Sequence, residues 1–239
     1  PFFRWVLGKA DRVLAQSETD AERFRFLGAK DVVVAGNVKF DEPVGEGMGR
    51  EAWRAALGAD GFVTVVGSLR AEEFAEVAPA LREIARYGPV VVAPRHLEKT
   101  DDLAALLGDP PRRSRGETVR DGLLLLDTYG ELSDAYAAAD VAIVGGGFAE
   151  LGGQNVLQPL AHGVPTVHGP HMRNFRDVAA LAAPATIVVG ADGLAEAIRS
   201  LREDAELRSS KALAAREILA ANRGATARVA DEVVRLTEA

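Results

Sequence analysis

The sequence predicts an α/β fold, a Rossmann-like parallel sheet with helices on both faces. Three observations carry this. From residue 62 onward, short apolar runs alternate with helical patterns. Runs such as 123–126 (LLLL) and 141–144 (VAIV) are apolar without alternation, as strands buried on both faces are. Polar residues and glycines gather just after these runs, where sheets of this kind bind ligands.

The totals fit a globular protein. The 239 residues suffice for one large domain or two small ones. Apolar residues are 48% and charged residues 26%. A net charge of −7 argues against a nucleic-acid partner, while leaving room for a local basic pocket for phosphates. The absence of cysteine excludes disulfides, thiolate metal ligands and a Cys nucleophile. No apolar run reaches the roughly 20 residues of a membrane span. The chain starts at Pro1 without an initiator Met or a signal pattern, so a segment upstream is expected.

The elements follow in order. Residues 1–10 mix aromatics with Arg4 and Lys9, as a surface-seeking amphipathic end or the tail of a helix does. Residues 12–16 read as a short strand. Ser17 caps a helix, with Asp20 three residues on, and Gly28 ends it. Residues 31–36 (DVVVAG) form the next short strand. Residues 1–40 are too few to own a core and read as the trailing edge of a preceding domain. Residues 41–49 (DEPVGEGMG) hold four glycines or prolines and read as a linker. Residues 50–239 then form the main domain.

Within it, 50–57 is a short helix and 62–66 a strand. Residues 71–87 are helical, with Phe74, Val77, Ala78, Leu81, Ile84 and Ala85 at three- and four-residue spacing. A strand at 89–93 precedes a helix at 97–107. Residues 112–115 are a candidate edge strand. Strands at 123–126, 141–144, 166–168 and 187–189 alternate with helices at 131–139, 155–162 and 175–183. Helices at 193–202, 207–221 and 225–237 close the chain.

The stretch 141–155 (VAIVGGGFAELGGQN) runs from a buried strand through two glycine clusters to a predicted helix start. Glycines let a backbone come close to a ligand, and a helix start supplies free N–H groups, so the stretch predicts a phosphate or sugar-phosphate site. It is neither GxGxxG nor a Walker loop. The other strand ends deliver Ser68 and Arg70; Pro94, Arg95 and His96; Asp127, Thr128, Tyr129, Gly130, Glu131 and Leu132; and His168, Pro170, His171, Arg173 and Asn174. Arg95 is the candidate counter-charge, as a bidentate donor. A nucleotide base would lie along 128–132 and its ribose would reach Gln158. Ser68, Asp127 and Thr128 are equally readable as helix caps. His162, inside a helix, reads as structural. No metal site is expected, since no carboxylate stands at ligand spacing from the histidines. No nucleophile elbow is present.

The strings GSLRAEE, APRH, DTYGELSDAYAAADVAIVGGGFAELGGQNVLQP and GPHMRNF, in this order and spacing, resemble the 3-deoxy-D-manno-octulosonic acid (Kdo) transferase family. The upstream stretch VLAQSETDAERFRFLGA…VVVAGNVKFD resembles the end of that family's N-terminal domain. The resemblance covers almost the whole chain. It implies the C-terminal, donor-binding half of a two-domain GT-B glycosyltransferase. It also implies transfer of Kdo from CMP-Kdo, a donor substrate rather than a cofactor, to a lipid A-type acceptor by direct displacement. The implied donor site comprises Ser68, Arg70, Pro94, Arg95, His96, Thr128, Tyr129, Gly130, Glu131, Leu132, Gly146, Gly147, Phe148, Gly152, Gly153, Gln154, Asn155 and Gln158. His171 and Asn174 would face the sugar or the cleft.

The family's general base lies in the N-terminal domain, and nothing here matches that region. Glu72 and Glu73 belong to the wrong segment to replace it. The resemblance therefore implies a chain that binds donor weakly and transfers nothing alone. The full-length protein would sit peripherally on the cytoplasmic, inner face of the cell membrane. Two positions depart from the family pattern: Gln154 stands where His is usual, and Gln158 where Glu is usual. Gln158 can accept a ribose hydrogen bond without charge assistance, a difference of about 1 kcal/mol. Another activated sugar, a non-catalytic nucleotide-sugar binding module, or a sugar-epimerase relative are the rival readings.

Overall fold

A computed structural model describes residues 2–41 and 49–238. Most of the predicted 41–49 linker therefore lies outside the described residues. The chain divides into two compact units, one of residues 1–43 with 219–239, the other of residues 44–218. This boundary differs from the single domain expected over 50–239, because residues 219–239 cluster with the N-terminal segment.

The smaller unit pairs β1 (Val13–Ala15) with β2 (Val32–Val34) in parallel. Between them runs the Glu18–Phe26 helix, whose N-cap Ser17 accepts a hydrogen bond from the Asp20 amide at 3.1 Å. The C-terminal Ala225–Thr237 helix is held here by polar contacts. Asp41 accepts from the Gly224 and Thr226 amides at 2.6 Å each. Arg228 donates to the Ala35 carbonyl at 2.7 Å, and Arg12 joins Asp31 to Glu232. An amphipathic pattern specifies an apolar face but not its partner, which is why sequence reading misassigned this helix. No side chain of the Phe2–Leu7 helix is buried.

The larger unit carries β3 (Thr64–Leu69), β4 (Val90–Pro94), β5 (Leu123–Leu125), β6 (Val141–Val144), β7 (Thr166–His168) and β8 (Thr186–Val188). They form one parallel sheet in the order β5-β4-β3-β6-β7-β8. The chain starts in the middle, winds outward to β5, then crosses back to β6. The order therefore reverses between β3 and β6, and the crevice for ligands opens beyond their carboxyl ends.

Alternate strand residues feed two cores. Val66, Val90, Val92, Ile143 and Val167 pack on one face against the Phe74–Ile84, Thr100–Leu107 and Leu194–Glu203 helices. Val65, Val91, Leu124 and Ala142 pack on the other against Trp53, Leu57 and the Leu132–Ala138 helix. Each fully buried side chain of this kind contributes about 1.5–3 kcal/mol. Asp140, just before β6, ties one helix to the sheet: it pairs with Arg50 at 2.5 Å and Arg54 at 2.6 Å and accepts from the Val63 amide at 2.8 Å.

Two elements differ in kind from expectation. Residues 112–115 are not an edge strand: Arg113–Arg115 is a 3-10 turn, and Arg112 makes a single bridge to Leu125. The helix expected over 155–162 begins at Leu157 and ends at Ala161. The Asn155 side chain accepts from the Leu157 amide at 3.0 Å, a local bond that holds the preceding residues out of the helix.

Candidate functional site

The site is built where β3 and β6 end. β3 shifts register between Val66 and Leu69, and Ser68 adopts φ +56°. Such a left-handed non-glycine residue stores roughly 1–3 kcal/mol and persists only where its surroundings fix it. Gly145 lies opposite. A Cβ there would stand 2.6 Å from the Leu69 Cα, so the two strand ends approach more closely than any side chain permits. The Arg95 amide donates to the Leu69 carbonyl at 2.7 Å, which draws the end of β4 to the same place.

Glu73 closes the turn from beneath. It is fully buried and accepts from the amides of Gly146 and Phe148 at 2.7 Å each, and of Arg70 at 3.1 Å. This corrects the expectation that the first glycine cluster offers its amides to a phosphate. The amides of Gly146 and Phe148 serve an internal carboxylate instead. Part of the signal was present in GSLRAEE, where Glu73 stands three residues after the N-cap Arg70, the capping-box spacing; its bonds to Gly146 and Phe148 have no local signal.

The second glycine cluster joins the first and the loop after β7. The Gly153 amide donates to the Gly146 carbonyl at 2.6 Å, His171 to Gly147 at 3.0 Å, and Asn174 to Gly152 at 3.0 Å. Gly152 and Gly153 take φ +93° and +82°, with Asn174 and Met172 packed where a Cβ would project. The structure thus brings GGGFAELGGQN and GPHMRNF together as one hydrogen-bonded pair of loops.

Around this centre several polar groups lack internal partners. The exposed Arg95 guanidinium and the half-buried amides of Gln154 and Gln158 form no hydrogen bond among the described residues. The Gln154 side chain lies over Gly146. Arg70 donates to Glu72 at 3.0 Å, while its Nε is buried without a partner. His96 is exposed, 3.8 Å from Glu98, and Pro94 is buried in β4.

The loop after β5 crosses toward β6 over the end of β3, and Leu132 packs against Gly67. Its polar groups are largely committed. Thr128 donates to Glu131, Glu131 pairs with Arg113 at 3.1 Å, and Asp127 accepts from the Ser114 amide at 2.8 Å and hydroxyl at 2.6 Å. Burial raises the Glu131 carboxyl pKa, but the bonds from Arg113 and Thr128 outweigh it and hold it below the ordinary value. Tyr129, in contrast, is 85% exposed beside Gly130.

The histidines separate. His168 is buried, its Nδ1 2.8 Å from the Gly169 carbonyl and its Nε2 unpartnered; burial pushes its pKa down. Burial likewise lowers His162, which lies 3.3 Å from the Ser133 hydroxyl. His171 lines a cleft of about 370 Å³, with Glu150, Gly152, Met172, Arg173 and Arg176 among its walls. Sequence reading singled out His171 there and missed Arg176, which sits one residue past the motif. Among the described residues no group of three or more His, Asp or Glu is placed to hold a metal.

The family model described as 3-deoxy-D-manno-octulosonic-acid transferase (kdotransferase) matches residues 1–42. The 3-deoxy-D-manno-octulosonic acid transferase of Bordetella pertussis is 39% identical over 95% of this chain and 57% of its own length. That of Chlamydophila psittaci is 34% identical over 74% of this chain and 44% of its own. The chain spans about half the length of these relatives. Among solved structures, the C-terminal CMP-Kdo binding domain of WaaA from Acinetobacter baumannii matches with TM-score 0.65 and 25% identity, over 71% of this chain and 95% of that one. Anabaena HepE in complex with UDP and glucose matches at TM-score 0.63 and 16% identity, over 96% of this chain and 64% of that one, a likeness of fold. The fold is that of the C-terminal half of a GT-B glycosyltransferase.

Proposed function

We propose, because this chain belongs to the 3-deoxy-D-manno-octulosonic acid transferase family, that its larger unit binds a CMP-activated sugar acid beyond the ends of β3 and β6. The full-length protein then transfers that sugar, Kdo or a close relative, to a lipid A-type acceptor. One observation carries this reading. The ends of β3 and β4, with Ser68 and Arg95, meet the glycine turn where the strand order reverses, Gln154 lies over Gly146, and the Arg95 and Gln154 side chains form no hydrogen bond among the described residues.

Arg95 offers a planar pair of donors to the nucleotide phosphate. The base lies along 128–132, where the Tyr129 ring is free, and Gln158 faces the ribose. In the transfer, an acceptor hydroxyl attacks the anomeric carbon, the bond from that carbon to the phosphate oxygen breaks, and CMP leaves with the electron pair. Arg95 then stabilises the charge gathering on the phosphate. The acceptor proton goes to a general base in the part of the relatives that this chain does not span. Glu73 does not serve as that base, since its oxygens are held by backbone amides. No cofactor enters the scheme. A lipid acceptor fits a full-length protein that works at the inner face of the cell membrane. Among the described residues, no helix is long and apolar enough to cross one.

Calorimetry of the 239-residue chain with CMP, CDP, UDP and ADP tests the reading. CMP is expected to bind most tightly. Equal, negligible heats for all four would sink it. Tighter binding of UDP would assign the site to another nucleotide sugar, the second reading, which Gln154 and Gln158 favour because neither supplies a charge.

A further inference from the structure

The cleft between the second glycine cluster and the loop after β7 holds more positive charge than its surroundings neutralise. Arg173 and Arg176 both line it, together with His171. Both arginines are exposed, and neither guanidinium makes a hydrogen bond or ion pair among the described residues. Glu150 stands on the same wall and pairs with neither. Elsewhere in this unit, arginines with less exposure are engaged: Arg50 and Arg54 with Asp140, Arg112 with Asp101, Arg113 with Glu131. The cleft is a sugar-sized space of about 370 Å³ whose wall includes Gly152, part of the same loop pair that forms the donor crevice.

We infer that this cleft is the subsite for the sugar carboxylate of the donor, with Arg173 and Arg176 as its specificity-determining residues. The inference rests on the donor reading above and adds which atoms of the sugar are recognised. A carboxylate presents two oxygens in one plane, the shape that a guanidinium fork matches with paired hydrogen bonds. Two unpaired forks beside a wall of Gly152 and Met172 suit an acidic sugar and give a neutral hexose no equivalent handle. The His171 backbone N–H donates to the Gly147 carbonyl, which fixes the floor of the cleft relative to the glycine turn.

The test compares CMP with CMP-Kdo on the wild-type chain and on an Arg173→Ala/Arg176→Ala variant. Both side chains are exposed and unpartnered, so the variant is expected to fold, and its affinity for CMP reports that it has. Wild type is expected to bind CMP-Kdo more tightly than CMP. The variant is expected to keep its CMP affinity and lose about tenfold or more of its affinity for CMP-Kdo. An unchanged ratio of the two affinities in the variant overturns the inference, and so does equal weakening of both ligands. Failure of CMP to bind wild type is a different outcome, which removes the donor reading itself.

Discussion

Glu73 Oε2 lies 2.7 Å from the amide nitrogen of Gly146, so one buried carboxylate joins the segment after β3 to the turn after β6. Its other oxygen accepts from Phe148 at the same distance. An amide in place of the carboxylate would turn an N–H₂ toward one of these donors. Glu73→Gln is therefore expected to destabilise the chain by about 2–4 kcal/mol, and Glu73→Ala by at least as much, because each leaves buried amides unpaired. Urea unfolding measures this. A loss below about 0.5 kcal/mol for Glu73→Gln would show that the carboxylate does not hold the turn.

Close approach is the reason for glycine at position 67. A Cβ there would overlap the hydroxyl of the buried Tyr136 and stand 2.7 Å from its ring. Gly67→Ala is expected to cost about 1–3 kcal/mol through overpacking. Adding Tyr136→Phe removes the worst overlap, so the double variant should recover part of that loss. A double-mutant cycle with no coupling between the two positions would contradict the packing described.

Arg95 should behave oppositely. Its guanidinium has no partner among the described residues, so Arg95→Ala is expected to leave the melting temperature within about 1 °C, since surface changes of this kind are near neutral. Its affinity for CMP should fall about tenfold, as loss of a charge-assisted bond does. Thermal melting and calorimetry on the same sample separate the two effects. A drop in stability without a change in affinity would assign Arg95 a structural role.

Two buried histidines set a pH dependence. Burial holds His162 and His168 below the ordinary histidine value in the folded chain. As pH falls through about 6.5, the unfolded chain takes up protons that the folded chain refuses, so stability declines. Each histidine contributes up to about 1.4 kcal/mol per pH unit in that window. Depressed carboxyls such as Glu131 lose their contribution only at lower pH, near and below the ordinary carboxyl range. Urea unfolding between pH 7.5 and about 5.5 should show the decline, and His168→Gln should make it shallower. An unchanged slope in His168→Gln would mean that His168 takes up protons alike in the folded and unfolded chain.

Local sequence determined a good deal. The apolar runs marked six strands and their alternation with helices, since a strand covered on both faces has no polar side to show; the edge strand β8, exposed at Val188, is the least covered of them. Parallel connections then place Ser68, Arg95, Gly146, Gln154 and His171 at one edge of the sheet. Only the tertiary structure decided which of these groups are free. The amides of Gly146 and Phe148 are taken by Glu73, and Glu131 is taken by Arg113, while Arg95, Arg173 and Arg176 have no side-chain partner among the described residues. The Ala225–Thr237 helix, alike in pattern to the others, docks beside residues 1–43. The reason is the same in each case. Periodicity and spacing act along the chain, but a hydrogen bond between Glu73 and Gly146 is made across 73 residues of sequence, and its existence depends on where the sheet brings its strand ends.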